Sequence, residues 1–210
     1  MTFLSFFLAT LGSLFSVVNP LGAVPIYLTL TSSSTRKHRE VTARKTAMWF
    51  MIILVVFFLA GTYILNFFGI SLNALRIAGG LIIVNSGYGL LNSKFEERRI
   101  SDEVEEEAMD AEDVSFTPMA MPMLSGPGSI SLLISLFVEQ SEWVSRGLII
   151  GVIITMAALI WTVLHFAPAL FKLLGRGGLA ALSRIMGFLV MAIGIEMLIA
   201  GIVSLVASML

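Results

Sequence analysis

Hydrophobic positions along this chain fall in long runs, not in a strand-like alternation or a single helical stripe. Six stretches, approximately 2–31, 46–67, 72–92, 115–138, 145–171 and 179–209, are each apolar over about the 20 residues that carry a helix across a bilayer. The pattern predicts an all-α integral membrane protein with six transmembrane helices. The run from Trp49 to Leu65 is almost purely aliphatic and aromatic, which predicts a lipid-facing second span. The N-terminus lacks the positive segment of a secretory signal, and its apolar run continues to Leu30, so it reads as an uncleaved first span. The one extended polar stretch, 93–114, carries Glu96, Glu97, Asp102, Glu103, Glu105, Glu106, Glu107, Asp110, Glu112 and Asp113. A like-charge run of this kind stays solvated, so it reads as an acidic cytoplasmic linker between a first unit, 1–92, and a second, 115–210.

Two of the runs are interrupted. Asn19-Pro20-Leu21-Gly22 breaks the first, and Ser125-Gly126-Pro127-Gly128 breaks the fourth. Proline lacks an N–H and glycine tolerates unusual backbone, so both spans should break mid-membrane. Asn19-Pro20 and Gly126-Pro127 each read as a helix start, a capping residue followed by Pro at the first helical position. Half-helices are expected over Leu21–Leu30 and Ser129–Val138. Free N–H groups and the dipole at such a start favour an anion. The Ser16, Asn19, Ser125, Ser129 and Ser131 side chains would add groups for an ammonium or an ion, and Gly22, Gly126 and Gly128 give small walls. Such a cavity suits a compact zwitterion.

An internal repeat sets the architecture. At an offset of 108 residues, Gly69, Arg76, Ile77 and Gly79 fall over Gly177, Arg184, Ile185 and Gly187; at 107, Pro20 falls over Pro127. Three spans per half is an odd number, so the halves form an inverted repeat, a transporter plan in which broken helices mark the binding site. Ten Lys and Arg residues (Arg36, Lys37, Arg39, Arg44, Lys45, Lys94, Arg98, Arg99, Lys172 and Arg176) fall on one side, against Arg76 and Arg146 on the other. The positive-inside rule then places both termini outside the cytoplasm. Gly80 and Gly87, and Gly187, Gly194 and Gly201, recur every seven residues as close-packing stripes.

Composition narrows the chemistry. Of 210 residues, 57% are hydrophobic and 13% charged, and mean hydropathy is +0.95. There is no cysteine, which removes disulfides, metal thiolates and thiol nucleophiles, and a net charge of −1 removes nucleic acid as a partner. No metal site or resident cofactor is expected; a coupling ion, H+ or Na+, is. Ser125, Ser86 and His165 permit an intramembrane serine hydrolase to be drawn, but no zinc motif, paired Asp or fixed Ser–His spacing supports it, so the chain does not read as an enzyme. Arg76 and Arg184, near span starts at matched positions, read either as headgroup-snorkelling residues or as gates. Glu196, mid-span in the sixth run, reads as a candidate proton-coupling group or a helix-contact residue.

Four segments together resemble the MarC/SnatA family of six-span inner-membrane proteins: 19–31, Leu75-Arg76-Ile-Ala-Gly79-Gly80, Met121-Pro122 with 125–130, and Ser183-Arg184-Ile-Met-Gly187. The resemblance implies transport of small neutral amino acids such as glycine, alanine and serine across the inner membrane by alternating access. It implies a substrate site lined by Asn19, Pro20, Gly22, Gly126, Pro127 and Gly128, to which the residue reading adds Ser125 and Ser129. Export of other small metabolites or drugs on the same scaffold, and a channel or non-transporting membrane protein, are the alternatives.

Overall fold

A computed structural model describes residues 2–32, 34–92 and 113–208, and every regular element among them is helical. The acidic positions 96–112, with Lys94, Arg98 and Arg99, lie outside the described residues. The elements are α1 (Phe3–Val18), α2 (Ala23–Leu30), α3 (Arg36–Phe67), α4 (Leu72–Leu91), α5 (Ser115–Leu124), α6 (Pro127–Glu139), α7 (Trp143–His165) and α8 (Ala167–Ala207). Thr2, Thr35 and Ser71 open α1, α3 and α4 by accepting backbone N–H bonds from Ser5, His38 and Ala74, which satisfies donors that a helix start leaves without partners. Helix α8 is kinked at Gly175, whose φ of 63° is one a glycine adopts without steric cost.

Helices α3, α4 and α7, and α8 from Gly177 onward, are each long and apolar enough to cross a membrane. The pairs α1–α2 and α5–α6 pass the same test together, bent by 51° and 61°. The result is a multi-pass membrane protein of up to six spans, two of them broken, as the Pro and Gly positions predict.

The element order repeats. Helix α3 has 32 residues and ends before Gly69 (φ 64°); α7 and the first stretch of α8 cover the equal length 143–174 and end at Gly175. Helix α4 then lies against its counterpart α8 in antiparallel register, the pairing an inverted repeat requires. The contact is backbone to backbone. A β-carbon at Gly87 would stand 2.7 Å from the Gly187 carbonyl oxygen, and one at Gly194 2.9 Å from that of Gly80. Gly201 faces the Asn73 carbonyl in the same seam. Lipid tails are as apolar as leucine, so helices gain little by leaving lipid for each other; close packing through small residues is what joins them.

The main apolar core is built by α1, α2, α3, α5, α6, α7 and the start of α8. The second span is exposed on one face, at Met48, Ile52, Val56, Leu59 and Tyr63, as its composition suggests, and packed on the other. Helix α3 buries Phe50, Leu54 and Phe58, and the Phe58 ring meets Phe137 edge-on at 5.2 Å. Inside a bilayer both protein-facing and lipid-facing positions are apolar, so an all-apolar run does not reveal which it is.

Segment α5 departs from a regular helix. Thr117 and Met121 have extended backbone, the bonds into Pro118 and Pro122 are cis, and the carbonyls of Val114 and Ala120 each accept from the N–H five residues on. Ser115, Pro118, Met119, Ala120 and Leu124 are buried, so much of this irregular backbone is covered by protein, the circumstance that permits it at membrane depth.

Lys45 of α3 pairs with Asp113 at 2.5 Å, just before α5. Burial pulls the Asp113 carboxyl upward, but hydrogen bonds from Lys45 and Ser115, with the Lys45 charge, outweigh it and hold its pKa below the usual value. A carboxylate lowered in the folded state stabilises fully above its unfolded pKa, and that contribution fades as pH falls through the folded one. Below about pH 4 the Asp113→Asn protein should therefore lose stability less steeply than the parent. The difference should stay under about 1 kcal/mol, since both side chains are nearly half exposed, and thermal melts across a pH series in detergent measure it.

Candidate functional site

The two breaks differ in how they are built. At the second, Gly126 is the N-cap of α6 with extended backbone (φ −72°, ψ 170°) and Pro127 occupies the first helical position, as expected. No side chain caps this start. The Ile130 N–H is the first to reach an intrahelical carbonyl, that of Gly126, so the N–H groups of Gly128 and Ser129 have no helical acceptor. Ser125, fully buried, leaves its hydroxyl without a partner among the described residues.

At the first break the expectation needs correcting. Asn19 does not start α2. It is the C-cap of α1 in the left-handed region (φ 46°, ψ 61°), with its N–H on the Phe15 carbonyl, and Asn tolerates that region better than most residues. Pro20 lies in the intervening turn, and Gly22 takes the N-cap position of α2, which begins at Ala23. The Asn19 Oδ1 accepts the Gly22 N–H at 3.3 Å, and Val24 donates to the Leu21 carbonyl. Two of the donors this start might have offered a ligand are thus engaged.

The other proposed polar groups are engaged as well. Ser16 donates to the Gly12 carbonyl (2.9 Å), Ser129 to that of Gly126 (2.9 Å) and Ser131 across to that of Leu75 on α4 (3.1 Å). Of the five side chains singled out at the breaks, Ser125 alone makes no hydrogen bond.

The breaks are brought together. A β-carbon on Gly128 would stand 3.6 Å from Val17, two residues before Asn19, and 2.8 Å from Ile83 of α4. Val17 and Ile83 therefore close over the start of α6 in this conformation. From there the two half-helices run to opposite ends of the bundle: α6 ends beside Arg76, at the start of α4, and α2 ends beside Arg39, near the start of α3. Each end is held by an arginine. Arg39 donates to the carbonyls of Thr31 (3.0 Å) and Ser32 (3.3 Å); Arg146 donates to those of Gln140 (2.8 Å) and Phe137 (3.3 Å), its guanidinium 4.0 Å above the Phe137 ring. These arginines stand 107 residues apart, the offset that relates Pro20 to Pro127. A cation at a helix C-terminus satisfies its last carbonyls and complements the dipole.

Arg76 pairs with Glu139, the last residue of α6, at 2.6 Å. It is mostly buried, so it is no simple snorkelling residue. Arg184 is exposed, so the matched arginines are not equivalent in this conformation. Glu196 is also exposed, on α8. His165 lies at the basic end of the bundle, its Nδ1 4.0 Å from Glu40, and Ser86 is on an exposed face of α4.

Comparison with known proteins agrees with this architecture. The model of the MarC family of integral membrane proteins matches residues 4–206. The chain belongs to the MarC family. Relatives include the UPF0056 membrane protein MJ1677 of Methanocaldococcus jannaschii, 35% identical over 95% of this chain and 97% of that one. The UPF0056 membrane proteins YvbG of Bacillus subtilis and YhcE of Escherichia coli are each 33% identical, covering 94% and 90% of this chain and 94% and 88% of their own. No solved structure matches. Family membership places this chain among integral membrane proteins, and the names of these relatives state no substrate.

Sequence reasoning used Arg39 and Arg146 only to orient the chain, and it did not connect Glu139 with Arg76. The shared 107-residue offset was the available signal for the arginine pair; nothing local announced Glu139. Arg146→Ala should speed amide hydrogen exchange in the last turn of α6 and leave α2 unchanged, with Arg39→Ala doing the reverse. Each should cost about 1–2 kcal/mol of local stability, the scale of a charged group on helix-end carbonyls. Exchange mass spectrometry of the detergent-solubilised protein reads both ends at once.

Proposed function

We propose that this chain is a secondary transporter of small neutral amino acids, such as glycine, alanine and serine, in the inner membrane. It works by alternating access, with both termini outside the cytoplasm. The observation that carries this reading is Ser125: a buried hydroxyl without a partner, next to a helix start whose Gly128 and Ser129 N–H groups lack helical acceptors. Burying an unpaired hydroxyl costs about 1–3 kcal/mol, which a ligand at this place would relieve. The N–H groups and the α6 dipole favour a carboxylate. The Ser125 oxygen is then available to an ammonium, and the glycine-rich walls keep the ligand small.

The closed packing of Ile83 and Val17 over Gly128 represents one end of the cycle, and ligand entry requires the half-helices to shift. At the α6 end the Arg76–Glu139 pair and Arg146 act as a latch. The α2 end has only Arg39 among the described residues, since Ser32 stands where the 107-residue offset shared by the prolines and these arginines would place a counterpart to Glu139. This difference supports the two ends opening in turn. The exposed position of Glu196 gives no support to a proton path through it.

Counterflow of labelled glycine and alanine into proteoliposomes tests the proposal, with Ser125→Ala beside the parent. The parent should exchange both under a proton or sodium gradient, and whichever gradient drives uptake identifies the coupling ion. Removing an unpaired hydroxyl leaves the fold intact, so Ser125→Ala should keep its melting temperature while KM rises about tenfold, equivalent to one hydrogen bond to a charged group. No exchange by the parent under either gradient contradicts transport of these solutes.

A further inference from the structure

Away from the breaks, α3 and α7 leave an open groove of about 610 Å³ between them, lined at one end by Lys37, Glu40, Arg44 and Trp161 and further along by Met51 and Ile154. On α3 the stripe 37, 40, 41, 44, 47, 48 and 51 follows helical spacing down one face, so the groove runs with the axis for about 21 Å at 1.5 Å per residue. Its cations precede the apolar run that begins at 46, which sets them at headgroup depth, and Met51 lies within the hydrocarbon. Met48 and Ile154 remain 44% and 51% exposed, so the apolar end faces outward into lipid. Glu40 sits on the seam with a second cavity of about 390 Å³, where its carboxylate faces His165 and is joined by Arg36. Lys37 and Arg44 are not in any ion pair among the described residues.

From these features we infer that the α3–α7 groove is a binding site for one anionic phospholipid of the surrounding leaflet, its phosphate held by Lys37 and Arg44 and one acyl chain lying along Met51 and Ile154. The ligand must be both anionic and long-chained, because the groove passes from two cations into an apolar track. Basic recesses between transmembrane helices are suited to such headgroups. The cations are not demanded by the repeat: at the 107-residue offset Lys37 and Arg44 correspond to Val144 and Gly151, so one end of the bundle is equipped this way and the other is not. The inference stands apart from the transport proposal and does not use the breaks.

Native mass spectrometry of the purified full chain, exchanged into detergent with equimolar phosphatidylglycerol and phosphatidylcholine, tests it. The parent should retain phosphatidylglycerol at least fivefold over phosphatidylcholine. Lys37→Gln/Arg44→Gln should bring the ratio near one. Lys37→Arg/Arg44→Lys, which keeps both charges, and Lys172→Gln/Arg184→Gln, which removes two exposed charges elsewhere, should both retain the preference. Equal retention of the two lipids by the parent would overturn the site. So would an equal loss of preference in the Lys172→Gln/Arg184→Gln control, which would mean that overall charge and not the groove selects the lipid. Displacement of phosphatidylglycerol by millimolar glycerol 3-phosphate would overturn it too, by assigning the cations to a free phosphate.

Discussion

A peptide group that leaves a helix inside a bilayer must find another partner for its N–H or C=O, because no water is there to take the role. The organisation of this molecule follows from breaking two spans under that constraint. At the first break the chain meets part of this need itself: the Asn19 N–H donates to the Phe15 carbonyl, and the Asn19 side chain accepts from Gly22. At the second, the irregular backbone of α5 is largely covered by packing, but the start of α6 is left with donors and a hydroxyl that the chain does not use. The far ends of both half-helices are closed by arginine. Ser125 is one of four buried hydroxyls without a partner among the described residues, with Thr46, Ser115 and Ser135, and it is the one next to the Gly126 start of α6.

The glycine seam supplies the frame for this. Helices α4 and α8 approach with no side chain between Gly87 and Gly187 or between Gly80 and Gly194, and this close antiparallel pair fixes the two halves against each other. From it α4 reaches α6 directly: Ile83 over Gly128, the Leu75 carbonyl to Ser131, and Arg76 to Glu139. One helix of the frame therefore touches the start, middle and end of α6. A shift of α6 must break or remake all three contacts.

What was legible in the sequence was whatever depends on local backbone chemistry. Gly126-Pro127 marked a helix start because proline's missing N–H is harmless there and harmful elsewhere, and the sevenfold glycine spacing marked a seam because only glycine admits backbone contact. The family was legible too, from motifs spread over both halves. The details that depend on the tertiary fold were not. Asn19-Pro20 looks as much like a helix start as Gly126-Pro127, and only the path of the chain turns it into a helix end. The partnership of Arg76 with Glu139 spans 63 residues. The division of α3 into a packed and an exposed face was hidden because apolar composition carries no directional information in lipid, and the mid-span position of Glu196 does not reveal that its side chain is exposed.

The central claim is that the buried space beside Ser125 is a ligand site reached by water in turn from each side, and not dry packing. The chain contains no cysteine, so Ser125→Cys introduces a single thiol of nearly the same size as the hydroxyl it replaces. Maleimide labelling requires a thiolate and therefore water. Applied to proteoliposomes, a membrane-impermeant maleimide should label this thiol slowly from both faces, and saturating alanine should slow it further. A thiol that stays unlabelled from both faces, with or without alanine, while labelling fully once the protein is unfolded, would contradict the account.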